Sequence, residues 1–379
     1  MGTGYQIYHH STPFKLDYGQ SLPSFDLAYE VWGKLSERKD NVLLLHTGLP
    51  ASSHAKSHEE DPSPGWWEKF IGYGSDYPID LDRYFVRYGT DFPVVSIFDM
   101  VRAQFKLLDY LGLDQVYASI GSSMGGMQSI AAAWLEPERI NRVVSISGCG
   151  RIGPAGIAIR YAQRSVLMAD PNWNNGFYYD SSPPHLGMKL ARQVAAVTYG
   201  SRQEWERRFG RRKRPVTDQE AHSVLSPPTL SAEFLMETWL DYSAEQFCLK
   251  YDANKGLNQL KKYRAGSPSL SELSVSDQEN GVANVSPSFC HHNIVASLSQ
   301  TFQKFRSTQE FLIVGVQTDV LFPVGQQRDL AEAIRSCASS SPQQKAPSVT
   351  YVELDSPFGH DAFLIDLKAV GGAVRGFLS

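Results

Sequence analysis

Gly121-Ser122-Ser123-Met124-Gly125 stands between an apolar run, Val116-Tyr117-Ala118-Ser119-Ile120, and a run of small and apolar residues from Gly126 to Leu135. A G-x-S-x-G pentapeptide after a strand and before a helix is the pattern of a sharp turn that lifts a serine hydroxyl clear of a sheet. A hydroxyl is a weak nucleophile at neutral pH, so it needs a base to take its proton and fixed N–H donors to hold the oxyanion that forms. The same pentapeptide also occurs as an ordinary strand-to-helix turn, so its weight depends on whether the chain supplies those partners.

Working outward, short apolar runs recur at Asn41–His46, Arg83–Val86, Val116–Ile120, Arg142–Gly148, Glu310–Val316 and Val349–Leu354. Alternating with helical patterns, they predict an α/β fold with a mostly parallel central sheet. Between Gly148 and Ser307 the strand rhythm stops, and Ile157–Ala169, His185–Thr198 and Ala232–Lys250 read as amphipathic helices. The expected organisation is a core of residues 1–148 and 308–379 with an inserted helical cap, 149–307. Within the cap, the stretch 266–288 is rich in Ser, Gly and acidic residues and reads as a mobile loop.

This organisation completes a Ser, Asp, His order. Asp319 follows the run Phe311–Val316 after Gln317-Thr318, at the sheet edge where open α/β sheets place their sites. His360 follows Val349–Leu354 after the loop Asp355–Gly359. The expected roles are Ser123 as nucleophile, His360 as general base and then acid, and Asp319 as the carboxylate that orients the imidazole. Taken singly, Asp319 reads more readily as a helix cap before Val324–Ile334 with Pro323 in the first turn, and His360 equally as a surface loop histidine or, with Asp361, as the start of a helix over Ala362–Phe377. Order and spacing together favour the triad. Met124 supplies one oxyanion N–H; the loop Thr47-Gly48-Leu49-Pro50 supplies the other, with Gly48 allowing close approach and Leu49 as donor.

Composition narrows the function classes. The chain has 379 residues, 42% hydrophobic and 20% charged, with a formal net charge of -4, which gives no electrostatic reason to expect nucleic acid or an anionic membrane as partner. Cys149, Cys248, Cys290 and Cys337 have no C-x-x-C spacing, so neither a zinc knuckle nor a disulfide framework is expected. The first residues carry no signal or myristoylation pattern, and no apolar run approaches the roughly 18 residues of a membrane span. A cytoplasmic location is the expectation. His54 and His58 lie four apart, but the stretch is not H-E-x-x-H and no third ligand stands out, so no metal is expected. Arg207–Arg214 reads as a solvated basic surface, with a phosphate-binding or nuclear-import patch as minor alternatives, and Trp66-Trp67 as core packing, with a channel wall as the alternative.

Taken together, these residues resemble the homoserine and serine O-acyltransferases of the α/β-hydrolase fold. The resemblance rests on Thr47-Gly48-Leu49, Ser53-His54-Ala55, Gly65-Trp66-Trp67-Glu68, Gly121–Met127, Asp170–Trp173, Gly187–Arg192 with Thr198-Tyr199, Asp319–Pro323 and Gly359-His360-Asp361, in order over most of the chain. Ile157–Arg160, Gly176–Tyr179 and Trp205–Gly210 are more similar to the branch that includes serine acyltransferases. The resemblance implies an acyl-CoA donor substrate, usually acetyl-CoA and in some members succinyl-CoA, no bound cofactor, a covalent acyl-serine, and an L-homoserine or L-serine acceptor in methionine or cysteine biosynthesis. An O-acetyltransferase is therefore the first expectation, with a serine ester hydrolase or a catalytically impaired variant as alternatives. It also implies Arg192 and Asp361 as substrate contacts, whose types suit the carboxylate and ammonium of an amino acid, and a homodimer. Serine and homoserine differ by one methylene, worth about 1–3 kcal/mol of pocket fit, so both stay open. Two departures from the family pattern stand out: the connection after Val86 is short, and Tyr251-Asp252-Ala253-Asn254 is followed by Lys255-Gly256-Leu257-Asn258 and the polar loop instead of a helix.

Overall fold

The computed structural model describes residues 5–48, 54–72, 74, 76–80, 85–89, 95–178, 180–215, 232–249, 251, 253, 287–337 and 345–379. Strands β1 (Gln6–His10), β2 (Phe25–Trp32), β3 (Val42–His46), β4 (Phe85–Gly89), β5 (Val116–Ser122), β6 (Ile140–Ile146), β7 (Glu310–Val316) and β8 (Ser348–Leu354) form one sheet in the order β1-β2-β4-β3-β5-β6-β7-β8. From β4 to β8 all neighbours run parallel, with Leu43 beside Ala118, Val144 beside Ile120 and Leu312 beside Val144. β1 and β2 pair antiparallel, and β2 meets β4 antiparallel with Trp32 opposite Val86. Val86 itself thus lies in a strand between β2 and β3, despite the short connection that follows. The loop expected over 266–288 lies outside the described residues, apart from Pro287 and Ser288, which open a helix.

β3 is Val42-Leu43-Leu44-Leu45-His46, buried throughout, because a central parallel strand has no solvent face. Its period of two splits it between two cores. Val42 and Leu44 join Val116, Val143, Phe311 and Ile313 on one face; Leu43 and Leu45 join Ala118, Ile120, Leu312 and Val314 on the other. The first face is covered by α1 (Ile97–Tyr110), α2 (Met124–Leu135) and α8 (Val324–Arg335), and the second by Trp67, Phe70 and α10 (Ala369–Leu378). α1 starts at a reciprocal cap: Ser96 Oγ accepts from Asp99 N at 2.9 Å, and the Asp99 carboxylate accepts from Ser96 N at 2.8 Å.

Between β6 and β7 lie α3 (Pro154–Met168), α4 (His185–Val197), α5 (Arg202–Arg208), α6 (Leu235–Cys248) and α7 (Pro287–Thr301). α4 packs against both α3 and α6. Leu167, Tyr178, Met188, Ala191 and Ala253 form a third, smaller core here, separate from the two that flank the sheet. One helix expectation needs correction. Ala362–Phe377 is not continuous but splits into α9 (Ala362–Ile365) and α10, because the Asp366 carboxylate accepts from Ala369 N at 3.0 Å and starts the second helix afresh.

Candidate active site

The site gathers where β5, β7 and β8 end. Ser123 lies between β5 and α2 with φ 57° and ψ -123°, a backbone conformation L-residues rarely adopt. It is held by its own N–H donating to Ile146 O at 2.8 Å and by contacts only glycine permits. A Cβ at Gly121 would fall 2.1 Å from Gly125 O, and one at Gly125 would fall 2.3 Å from His46 O. The two glycines therefore let the turn close on itself and on the end of β3.

His360 Nε2 lies 2.8 Å from Ser123 Oγ, and His360 Nδ1 lies 2.7 Å from Asp319 Oδ2. All three side chains are buried. The other Asp319 oxygen accepts from Leu321 N and Phe322 N, both at 2.9 Å, and closes a turn ahead of α8; it does not cap that helix, whose N-cap position is Pro323, and the carboxylate faces the imidazole instead. Those two N–H groups fix the carboxylate plane, and with it the ring edge that His360 presents to Ser123. The imidazole is stacked on Phe322 with centroids 5.2 Å apart and meets Phe363 edge-on at 5.5 Å. Gly359, at φ +63°, brings the backbone against Tyr199 and Ser201, where a Cβ would lie 2.7 Å from Ser201 N. Thr318 Oγ1 accepts from Gly359 N at 3.1 Å, tying the Asp319 loop to the His360 loop.

Met124 is the first residue of α2, so its N–H has no intrahelical carbonyl to bond. Gly48 is buried against the serine; a Cβ there would lie 3.3 Å from Ser123 Cβ and 3.9 Å from Ser123 Oγ. The close approach expected of Gly48 is present, while Leu49 lies outside the described residues.

Arg192 projects from α4 with its guanidinium between the rings of Tyr199 and Phe247, 5.1 and 4.7 Å from their centroids. Its Nη1 donates to Tyr199 OH at 3.4 Å, and its Nε is buried without a hydrogen-bond partner among the described residues. Tyr199 joins this group to the histidine loop: its carbonyl accepts from Asp361 N at 3.3 Å, and its ring centroid lies 6.2 Å from that of His360. Burial pushes the Asp361 carboxyl above its ordinary range, against the pull of His360 and Arg192. The sequence reading did not single out Phe322, Phe247 or Ser201; none carries a local signal, because each acts by packing or bonding across the fold. The basic run is solvated as expected, with Arg207 paired to Glu204 at 2.7 Å and Lys213 to Glu233 at 2.6 Å. Trp67 is core, while Trp66 stacks on it at 5.1 Å.

Among the described residues no helix is long and apolar enough to cross a membrane. The sequence matches the family described as alpha/beta hydrolase fold over residues 41–367. It is 45% identical to a serine O-succinyltransferase of Emericella nidulans, covering 99% of this chain and 81% of the relative. It is 34% identical to a serine O-succinyltransferase of Xylella fastidiosa, covering 97% of this chain and 95% of the relative. The first alignment runs over 441 positions against 379 residues here, so that relative carries segments with no counterpart in this chain. In fold, the chain is similar to homoserine O-acetyltransferase from Bacillus anthracis (TM-score 0.77, 18% identity, 99% and 97% of the two chains). It is also similar to an acetylester hydrolase from Corynebacterium glutamicum (TM-score 0.69, 20% identity, 99% and 94%). The chain belongs to the alpha/beta hydrolase fold family and, within it, to the O-acyltransferases that include these serine O-succinyltransferases.

Proposed function

We propose that this O-acyltransferase moves a succinyl group from succinyl-CoA to the hydroxyl of L-serine through an acyl-Ser123 intermediate. The observation that carries the mechanism is the buried relay Asp319–His360–Ser123 at 2.7 and 2.8 Å. His360 Nε2 takes the Ser123 proton as Oγ attacks the thioester carbonyl, and CoA leaves as the thiol with that proton. His360 then deprotonates the acceptor hydroxyl, which attacks the acyl-serine, and the proton returns to Ser123. Asp319 holds the ring orientation and stabilises the imidazolium. The Met124 and Leu49 N–H groups hold the oxyanion in both steps.

Arg192 is assigned to the acceptor carboxylate, which its buried, unpartnered Nε and planar fork suit. Asp361 is assigned to the ammonium, whose arrival would favour the charged form that burial disfavours. The separate small core of Leu167, Tyr178 and Met188 supports reading residues 149–307 as a cap over the site. Burial of Ser123 favours transfer to a bound acceptor over transfer to water. The names of the relatives favour the succinyl donor over the acetyl donor of the first expectation, and serine over homoserine.

The test is release of CoA thiol from succinyl-CoA and acetyl-CoA, each with L-serine, L-homoserine or no acceptor, with Ser123→Ala as control. The expected result is serine-dependent release from succinyl-CoA that the variant lacks. Release independent of acceptor would make the chain a hydrolase, and preference for acetyl-CoA would reverse the donor assignment.

A further inference from the structure

A second cluster of chemical groups lies outside the triad and shares no residue with it. Glu30 on β2, His54 and His58 each present one ligand atom, all within 4.8 Å of one another. The sequence spacing shows His54 and His58 but gives no third ligand, because Glu30 arrives from a strand that precedes β3. The two histidines are not on a helix either; the segment is irregular and is brought to β2 by the fold.

The protonation of His54 is fixed at one nitrogen. Its Nε2 lies 2.6 Å from Ser63 O, and a carbonyl only accepts, so Nε2 carries a proton. In the neutral ring, Nδ1 then turns a lone pair toward the Glu30 carboxylate, 3.3 Å from each of its oxygens. Glu30 has 2% side-chain exposure, and its buried carboxylate is stabilised by a cation shared with the facing Nδ1, either a proton or a metal ion. A second proton on His54 would serve only one of the two rings. The second ring, His58, has its Nε2 3.8 Å from Glu30 Oε1, buried and without a hydrogen bond among the described residues.

The two separations from Glu30 to the rings also suit a metal ion. Two ligand atoms each about 2.0–2.1 Å from one tetrahedral zinc ion lie about 3.3–3.4 Å apart. The 3.3 Å and 3.8 Å separations surround that value, and one ion satisfies both rings and the carboxylate at once. The bond from His54 Nε2 to a backbone carbonyl is the outer contact that fixes the tautomer of a metal-binding imidazole. Asp61 Oδ2, 3.7 Å from His54 Nδ1, adds a second negative charge at the rim.

We propose that Glu30, His54 and His58 form a binding site for a divalent metal ion of the zinc class, which clasps the segment between the oxyanion loop and Trp67 onto β2. The clasp has a structural role. The segment it holds is anchored further along by Trp66 N and Trp67 N donating to His54 O and Ala55 O at 3.2 and 2.9 Å, and by Trp32 Nε1 donating to Lys56 O at 3.2 Å.

The test uses the full chain stripped by a chelator and titrated with Zn2+ against a chromogenic competitor, with thermal melting of both forms. The expected result is one equivalent of Zn2+ per chain and a higher melting temperature when loaded. His58→Ala, whose ring nitrogen has no hydrogen bond to lose, is expected to fold and to bind Zn2+ at least about tenfold more weakly. Glu30→Gln is the second variant, read by the same competition. The proposal is overturned if the parent takes up no stoichiometric Zn2+, or if both variants bind as the parent does. It is equally overturned if the bound ion is lost in His360→Ala but kept in His58→Ala, since the metal would then sit at the triad.

Discussion

Trp67 Nε1 donates to Phe363 O over 2.9 Å in a fully buried contact, joining the segment that follows the oxyanion loop to the helix that follows His360. The two residues are far apart in sequence yet belong to the same packed layer, with Trp67 stacked on Phe70 at 4.9 Å and Phe363 edge-on to His360. The segment around Trp67 and the helix that follows His360 are thereby held in one register. Trp67→Phe removes the donor, leaves the Phe363 carbonyl buried without its partner and shrinks a core side chain. We expect a loss of about 1–3 kcal/mol in urea unfolding. Turnover should fall as well, because His360 loses a neighbour's anchor; unchanged turnover would show that the link serves stability alone.

The serine turn gives a sharper steric prediction. At Gly125 a Cβ would stand 2.3 Å from His46 O, a backbone atom that cannot swing aside. Gly125→Ala is expected to destabilise by about 3 kcal/mol, through displacement of α2 from β3, and to abolish turnover with it. Gly372, with nothing within 4 Å of its would-be Cβ, is the control. Gly372→Ala in α10 should leave activity intact and stabilise by about 0.5–1 kcal/mol through the unfolded chain. Equal melting of the two variants would sink the argument.

Much of the architecture was legible because it is written locally. The run Glu310–Val316 is β7 residue for residue, and Val116–Ile120 is β5 short of its last two residues, since apolar runs between turn signals are what buried parallel strands look like. Ser123, Asp319 and His360 were legible for a related reason: each follows such a run within a few residues, so strand order brings them to one rim. The break at Asp366 was missed because a single side-chain oxygen decides it. β1 and β2 were missed because Gln6–His10 and Phe25–Trp32 are partly exposed and mix polar residues into the run. Phe322 against His360, and Glu30 against His54, were out of reach in principle, because nothing near either residue encodes its partner.

Asp319→Asn tests the orienting role apart from folding. The native carboxylate accepts from Leu321 N and Phe322 N through one oxygen and faces His360 Nδ1 with the other. An asparagine would keep its carbonyl oxygen on the two N–H groups and turn its NH2 toward Nδ1, forcing the tautomer that protonates Nε2. The base would then have no lone pair for Ser123. We expect kcat to fall about ten-thousandfold with little change in melting temperature. A modest fall would mean that His360 keeps its working tautomer without Asp319.

The Glu68 carboxylate links acid stability to the same loop. Burial alone would raise it, but hydrogen bonds from Lys56 Nζ, Ser57 N, Ser57 Oγ and Gly65 N, between 2.7 and 2.9 Å, outweigh burial and hold it at about 2, against an ordinary 4.5. A carboxylate depressed in the folded state contributes stability that is present above its unfolded value and is lost as pH falls toward the folded one. Glu68→Gln should therefore be less stable than the parent at neutral pH, with the difference shrinking between pH 4.5 and about 2. Denaturant midpoints across that range check it; a difference independent of pH would assign the effect to packing.

Arg192→Lys separates acceptor binding from acyl-enzyme formation. The guanidinium lies near the rings of both Tyr199 and Phe247, and its Nε is buried without a hydrogen-bond partner among the described residues. Lysine keeps the charge but loses the fork and the planar stacking, so it can meet a carboxylate at only one point. A charge-assisted hydrogen bond is worth about 1.5–3 kcal/mol, so KM for L-serine should rise roughly 10- to 100-fold. The initial burst of CoA thiol, which reports acylation of Ser123 before any acceptor binds, should keep its rate, because Arg192 has no part in that half-reaction. A burst slowed in proportion to the loss of acceptor affinity would instead place Arg192 on the donor side of the site, or in the scaffold that holds Tyr199 against His360.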